Sequence, residues 1–184
     1  MIFVTLGTQD KEFKRLLNII DKACKKGIIK DVIVQGGFSK YKTKKFKMFD
    51  YVSREDFDKY MKECDYLITH AGVGSIFTAL KYNKKVLAIP RLSKYKEHNN
   101  DHQLDIVKEF VNKGYILSFN NFKEFEKCLK EVKTFKPKKY KSNTNNMINL
   151  ITDYIENHWQ NTFICVNIYL DTQRCFYFRK IAYI

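Results

Sequence analysis

The sequence predicts an α/β domain built on a parallel sheet, and three observations carry that prediction. Short apolar runs alternate with longer segments in which apolar residues recur at helical spacing. Most of the runs end in glycine, proline or a polar turn, as strands that hand over to helices do. The chain of 184 residues is 45% apolar with only seven Gly and two Pro, enough to bury a core without disulfide or metal staples. That composition excludes a disordered tail protein, a collagen-like chain and a small disulfide scaffold.

Ile2 to Leu6 is an apolar run ending at Gly7-Thr8, a buried strand followed by a turn. From Gln9 to Lys26, Phe13, Leu16, Leu17, Ile20 and Ala23 fall at helical spacing, and Gly27 stands where a helix-ending glycine belongs. Asp31 to Gln35 is a second strand, closed by Gly36-Gly37. The basic stretch Lys40 to Lys47 leads into a third strand through Phe46, Met48, Phe49 and Tyr51. Ser53 opens a helix with Glu55 and Asp56 in its first turn, and Phe57, Tyr60 and Met61 share one side of it. Asp65 to Thr69 is a fourth strand that runs through a glycine-rich turn into a helix ending near Tyr82. Lys85 to Ile89, stopped by Pro90, is a fifth. A polar loop, Arg91 to Glu97, precedes a helix from about His98 to Asn112, and Tyr115 to Ser118 is the sixth strand. Helices at Phe122 to Val132 and Asn145 to Asn157 follow, separated by the basic segment Lys136 to Lys141. In such a fold ligands bind beyond the carboxyl ends of the strands.

The composition changes after Asn157, which predicts a domain over residues 1–157 and an extension over residues 158–184. The extension holds one lysine, Lys180, and the only tryptophan, Trp159. Phe163 to Leu170 and Cys175 to Ile184 suit a hairpin, but a frayed, poorly ordered terminus suits them equally. Both readings stay open and the extension is given no role. No run of 18 apolar residues occurs, so no membrane-crossing helix is expected. The first apolar stretch lacks a basic leader and reads as structure, not as a signal peptide. Five cysteines without a Cys-x-x-Cys suit reduced thiols in the cytoplasm. The formal charge of +14 comes almost wholly from lysine, 29 Lys against five Arg. It suits an anionic partner or a solvated surface bias.

The strongest local signal is Thr69-His70-Ala71-Gly72-Val73-Gly74-Ser75-Ile76, a strand that breaks on glycines and resumes as a helix. Gly72 and Gly74 allow a close approach of ligand to backbone. The free N–H groups of the first helical turn then face an anion such as a pyrophosphate, with Ser75 as an added donor. Neither a dinucleotide G-x-G-x-x-G nor a P-loop is present. Gly7-Thr8-Gln9 repeats the logic after the first strand. On these residues alone, glycines that merely close a turn remain an alternative. The second unusual segment is Glu97-His98-Asn99-Asn100-Asp101-His102-Gln103, which packs donors and acceptors into about one helical turn. It suits a ligand rich in hydroxyls, a solvated capping cluster, or a metal held by His98 and His102 beside Asp101.

Taken together, Phe3 to Gln9, Thr69 to Ile76 and Glu97 to Gln103 resemble the Alg13-like, PssE-type subunits, which belong with the C-terminal half of family 28 glycosyltransferases. The resemblance covers about residues 1–157, with the three motifs in the same order. It implies a single Rossmann-like domain, the donor-binding C-terminal half of a GT-B glycosyltransferase. By that resemblance His70, Gly72, Gly74 and Ser75 hold the diphosphate of a UDP-sugar, and Gly7 and Thr8 border the same cleft. Backbone near Tyr51 and Val52 meets uracil. Glu97 and His98 meet sugar hydroxyls, with Asp101 and Gln103 behind them. Thr78 stands where many relatives carry an acidic residue for the ribose diol, so that contact is weaker here or passes to Glu97. Arg91, at the end of the fifth strand, is a candidate cation beside the phosphates.

The resemblance also implies a membrane-anchored Alg14-like, PssD-type partner that supplies the lipid-linked acceptor. The chain would then be the UDP-sugar-binding catalytic subunit of a two-component hexosyltransferase of exopolysaccharide biosynthesis. Its place would be cytoplasmic, peripheral to the inner face of the membrane through its partner. The catalytic base falls to the partner or the interface, and none is assigned here. No metal or other cofactor is expected, because fixed amide donors and a helix dipole suit the charge that develops on leaving UDP. Two rival readings remain. One is a non-catalytic accessory subunit that activates a partner transferase. The other, a nucleic-acid binder, rests on Tyr41, Phe46 and Phe49 among Lys40 to Lys47 and is set aside, since the aromatic–basic pattern is faint.

Overall fold

Six strands, β1 (Ile2–Thr5), β2 (Val32–Gln35), β3 (Lys47–Phe49), β4 (Tyr66–His70), β5 (Lys85–Ile89) and β6 (Leu117–Ser118), form one sheet in the order β3-β2-β1-β4-β5-β6. All neighbours are parallel. The computed structural model describes residues 1–166, with side chains described as far as Asn157. Helices α1 (Lys14–Lys25), α2 (Arg54–Glu63), α3 (Val73–Lys81), α4 (His102–Asn112) and α5 (Phe122–Thr134) cover the sheet. This is the parallel α/β architecture that the alternation of the sequence predicts, and the Rossmann-like domain that the resemblance implies.

Strand residues alternate between two cores. Ile2, Val4 and Leu6 pack with Leu16, Leu17 and Ile20 of α1 and Phe125 of α5. Phe3 faces the other way, with Met61 of α2, Ile76 and Ala79 of α3 and Val107 of α4. The helix after β1 and the helix after β4 therefore lie on opposite faces of adjacent strands. That reversal opens a crevice at the carboxyl ends of β1 and β4, the place where doubly wound sheets bind ligands.

Local signals set several boundaries. The Ser53 hydroxyl accepts from the Asp56 amide at 3.0 Å and caps α2. Gly27, at φ +69°, ends α1, and the Gly27 and Ile28 amides bond back to Cys24 and Ala23. Two helices start later than their periodicity predicts. The Lys11 carbonyl accepts from Arg91 and the Phe13 amide donates to Ser39 Oγ, so α1 begins at Lys14 instead of near Gln9. Residues 98–102 are drawn into side-chain bonds that compete with helix, Asn100 N–H to His98 Nδ1 and His102 N–H to Asn100 Oδ1. Thus α4 begins at His102 and not at His98, after a short 3₁₀ turn at Ser93–Tyr95. The Tyr115 amide closes α4 onto Phe110, which shortens β6 to Leu117–Ser118.

The first compact unit is Met1–Tyr140. The second begins at Lys141, and its described element is α6 (Thr144–Val166), which passes position 157 without a break. Residues 163–166 of the expected hairpin belong to α6, and its remainder lies outside the described residues. Among the described residues no helix is long and apolar enough to cross a membrane. Cys24, Cys64 and Cys128 are free thiols, the latter two buried.

Candidate functional site

A cavity of about 370 Å³ opens at the switch between β1 and β4. Thr5, Gly7 and Thr8 form one wall, and His70, Gly72, Gly74, Ser75 and Thr78 form another. Gly7 has φ +73°, and a Cβ there would collide with His70 Cε1. A Cβ on Gly72 would collide with His70 Nε2. Two glycine turns thus fold over one imidazole, and both positions require a residue without a side chain. Gly74 differs, since a Cβ there meets nothing within 4 Å.

His70 is buried, with Nδ1 3.3 Å from Thr69 Oγ1. Burial, aided by the charge of Arg91, pushes its pKa down to about 4, so the imidazole is neutral at neutral pH. The first α3 amide to bond backward is that of Ile76, to the Gly72 carbonyl at 3.1 Å. The N–H groups of Val73, Gly74 and Ser75 precede it and have no helical partner. Ser75 Oγ has no hydrogen-bond partner among the described residues, and Thr78 Oγ1 donates to the Gly74 carbonyl at 2.8 Å. Among the described residues no Lys or Arg lines the cavity. Its lining at the start of α3 offers peptide N–H groups, hydroxyls and a helix dipole, the groups that suit an anion.

The polar segment after β5 does something else. Three successive amides are held by its side chains: Arg91 N–H by Gln103 Oε1 at 2.9 Å, Leu92 N–H by Glu97 Oε2 at 3.1 Å and Ser93 N–H by Asp101 Oδ1 at 2.7 Å. Glu97 is buried and pairs with Arg15 at 2.7 Å. These contacts engage the Glu97 carboxylate and one oxygen each of Asp101 and Gln103 in holding the loop together, and Asp101 is exposed. Arg91 is tied in as well. It is 1% exposed, and its guanidinium donates to the carbonyls of Leu6, Lys11 and Glu97 over the ring of Phe13. Its Nε is buried without a partner.

His98 lines a separate, wider groove of about 1140 Å³ with Lys11, Arg15, Asn99 and Asn121. Val52 is half-buried and lines neither cavity. Among the described residues no three of His, Cys, Asp or Glu gather as a metal site. The one Asp-x-Asp triplet, Asp56-Phe57-Asp58, sits in α2. Tyr41 and Phe46 stack on each other, pack against the core and line a groove of about 780 Å³ with Lys25, Lys42, Lys44 and Lys45, while Phe49 is exposed.

The structure therefore gathers Gly7, Thr8, His70, Gly72, Gly74, Ser75 and Thr78 into one cavity, and leaves Val52, Arg91, Glu97, His98, Asp101 and Gln103 outside it. It adds Thr5, Gln35 and Phe57, which the sequence reading passed over. For Gln35 a signal existed: a polar residue closing an apolar strand just before two glycines.

Similar proteins share this fold. The NMR solution structure of ALG13 matches with a TM-score of 0.55 at 20% identity, over 82% of this chain and 93% of that one. The UDP-GlcNAc 2-epimerase of Methanocaldococcus jannaschii, crystallised with UDP-GlcNAc and UDP, matches with a TM-score of 0.57 at 16% identity, over 83% of this chain and 45% of that one. In sequence, UDP-N-acetylglucosamine–N-acetylmuramyl-(pentapeptide) pyrophosphoryl-undecaprenol N-acetylglucosamine transferase of Clostridium botulinum is 37% identical over 108 residues, 59% of this chain and 28% of that protein. UDP-N-acetylglucosamine transferase subunit ALG13 of Candida albicans is 25% identical over 134 residues, 73% of this chain and 44% of that protein. The chain spans less than half the length of either relative. The glycosyltransferase family 28 C-terminal domain matches residues 1–157, across the whole sheet and the glycine turns that shape the cavity, and the chain belongs to that family.

Proposed function

We propose that this chain is the UDP-sugar-binding subunit of a hexosyltransferase that works with an Alg14-like, PssD-type membrane-anchored partner. The acceptor is lipid-linked, the product belongs to polysaccharide synthesis, and the partner holds the chain at the cytoplasmic face of the membrane. The observation that carries the reading is the trio of unpaired amides, Val73 to Ser75, at a cavity on the sheet's switch point. The relatives' names support the donor and the division of labour, since one is called a UDP-N-acetylglucosamine transferase subunit and the other acts on a pyrophosphoryl-undecaprenol compound.

Transfer breaks the bond between the sugar's anomeric carbon and the β-phosphate, and negative charge grows on the departing UDP. Fixed N–H donors and the α3 dipole stabilise that charge without reorganising, which is what electrostatic catalysis requires. Neutral His70 adds an uncharged ring to the floor of the seat. No metal is invoked. The base that takes the acceptor's proton belongs to the partner or to the shared interface.

Replacing Gly74 with Asp tests this. The position has room, and an acidic residue in the first turn favours the helix, so the protein should fold normally. Its carboxylate would occupy the anion seat. Calorimetry should show UDP binding at least tenfold weaker than in wild type, and equal affinities would remove the assignment. A second reading, an accessory subunit, draws on Thr78, because among the described residues no carboxylate lines the cavity to take a ribose diol. Wild-type protein that binds no UDP yet raises a partner's transfer rate would decide for it.

A further inference from the structure

We propose that Gln35 is a further donor-binding residue, one that holds a hydroxyl of the sugar ring flanking the diphosphate. The inference rests on the donor-site reading above and names a contact that it leaves open. Gln35 is the last residue of β2, paired with Thr5 on one side and Phe49 on the other. Its carbonyl accepts from the Leu6 amide at 3.0 Å. Its side chain is free of such duties. The residue is 7% exposed and lines the 370 Å³ cavity, yet among the described residues its carboxamide has no hydrogen-bond partner. Among the described residues Arg91 Nε is the fully buried side-chain atom left unpaired, so the Gln35 amide reaches the solvent of the cavity, where a ligand group can take the place of water.

Position narrows the ligand group. Strands in a sheet lie about 4.8 Å apart, so the ends of β2 and β4 stand roughly 10 Å from each other across β1. A phosphate seated on the α3 amides leaves the span towards Gln35 for the ring attached to the diphosphate to fill. A carboxamide both donates and accepts, as a ring hydroxyl does. Among the described residues no carboxylate lines the cavity, and Gln35 is the one carboxamide that does, able to accept a hydrogen bond from a hydroxyl through its oxygen and to donate one through its nitrogen. Phe57 supplies an apolar wall alongside. Ribose and the transferred hexose are both polyols, and the test separates them.

The variant is Gln35→Met, which keeps length and volume and removes the amide. Wild type and variant are titrated with UDP and with UDP-N-acetylglucosamine, and both are melted without ligand. An affinity about tenfold lower for both ligands places the contact on ribose; the same loss confined to UDP-N-acetylglucosamine places it on the hexose. Either supports the proposal when the ligand-free variant melts as wild type does. A melting temperature within about 2 °C of wild type is expected, because the amide meets the cavity's solvent and no protein group. A purely structural glutamine would lower the melting temperature instead, and that result overturns the proposal. So do unchanged affinities for both ligands. Failure of wild type to bind either ligand would strike the donor-site reading itself, a result distinct from equal binding by the two proteins.

Discussion

His70 ends β4 with its ring beneath the Gly7 and Gly72 turns, and burial together with the Arg91 charge pushes its pKa down to about 4. An unfolded histidine titrates near 6.5. Below that value the unfolded chain takes up a proton that the folded one refuses, so stability falls as the pH drops from about 6.5 towards about 4. Above pH 6.5 this contribution is fully present and flat. The loss across the whole window is on the order of 3 kcal/mol. Urea unfolding at pH 7, 5.5 and 4.5 should show it in wild type, and His70→Gln, which carries no titrating ring, should flatten that part of the profile. Parallel profiles would mean that the imidazole is not held neutral. The same burial explains why glycine is needed on both sides. The ring occupies the space that side chains at positions 7 and 72 would take.

The loop from Arg91 to Gln103 belongs to the scale of elements, because its polar side chains join β5, α1 and α4 to each other. Glu97 serves both Arg15 of α1 and the Leu92 amide. Glu97→Ala leaves the Leu92 amide without its partner and the Arg15 charge with only the Pro90 and Asn120 carbonyls, and should cost about 3 kcal/mol in denaturant unfolding. Asp101→Ala, at an exposed position with one bond to the Ser93 amide, should cost about 1 kcal/mol. A Glu97 that served a sugar would behave in the opposite way, with UDP-sugar affinity lost and stability kept. The elements themselves were legible because their signals are local: apolar alternation, the Ser53 cap, the Gly27 stop and the glycine break after β4. The starts of α1 and α4 were not, because the bonds that delay them join residues far apart in sequence, Arg91 to Lys11 and Phe13 to Ser39. The same distance hid the role of Glu97, whose partner lies 82 positions away. Thr78 could be placed by counting from Ser75, whereas Gln35 became visible only when β1 and β3 closed around it.

For the whole molecule, a net charge of +14 meets a cavity that no Lys or Arg lines among the described residues. On the proposed reading the charge acts on an anionic donor as a field that favours encounter, and the amides are what would hold it. Both cores lie within the first compact unit, between Ile2 and Val132. That unit closes at Tyr140, whose ring lies 4.7 Å from Phe77 and 5.8 Å from Tyr115, with the Lys138 amide bonded to the Gly114 carbonyl. A chain ended after Ser142 keeps every one of these contacts. It should unfold cooperatively with a melting temperature within about 2 °C of the full chain and bind UDP within about twofold. A chain ended after Val132 lacks Tyr140 and its two ring contacts, each worth about 0.5–1.5 kcal/mol. It should melt about 4–8 °C lower. Scanning calorimetry on the three lengths separates the possibilities, because a loss of cooperativity already at Ser142 would mean that the first unit does not carry its own stability.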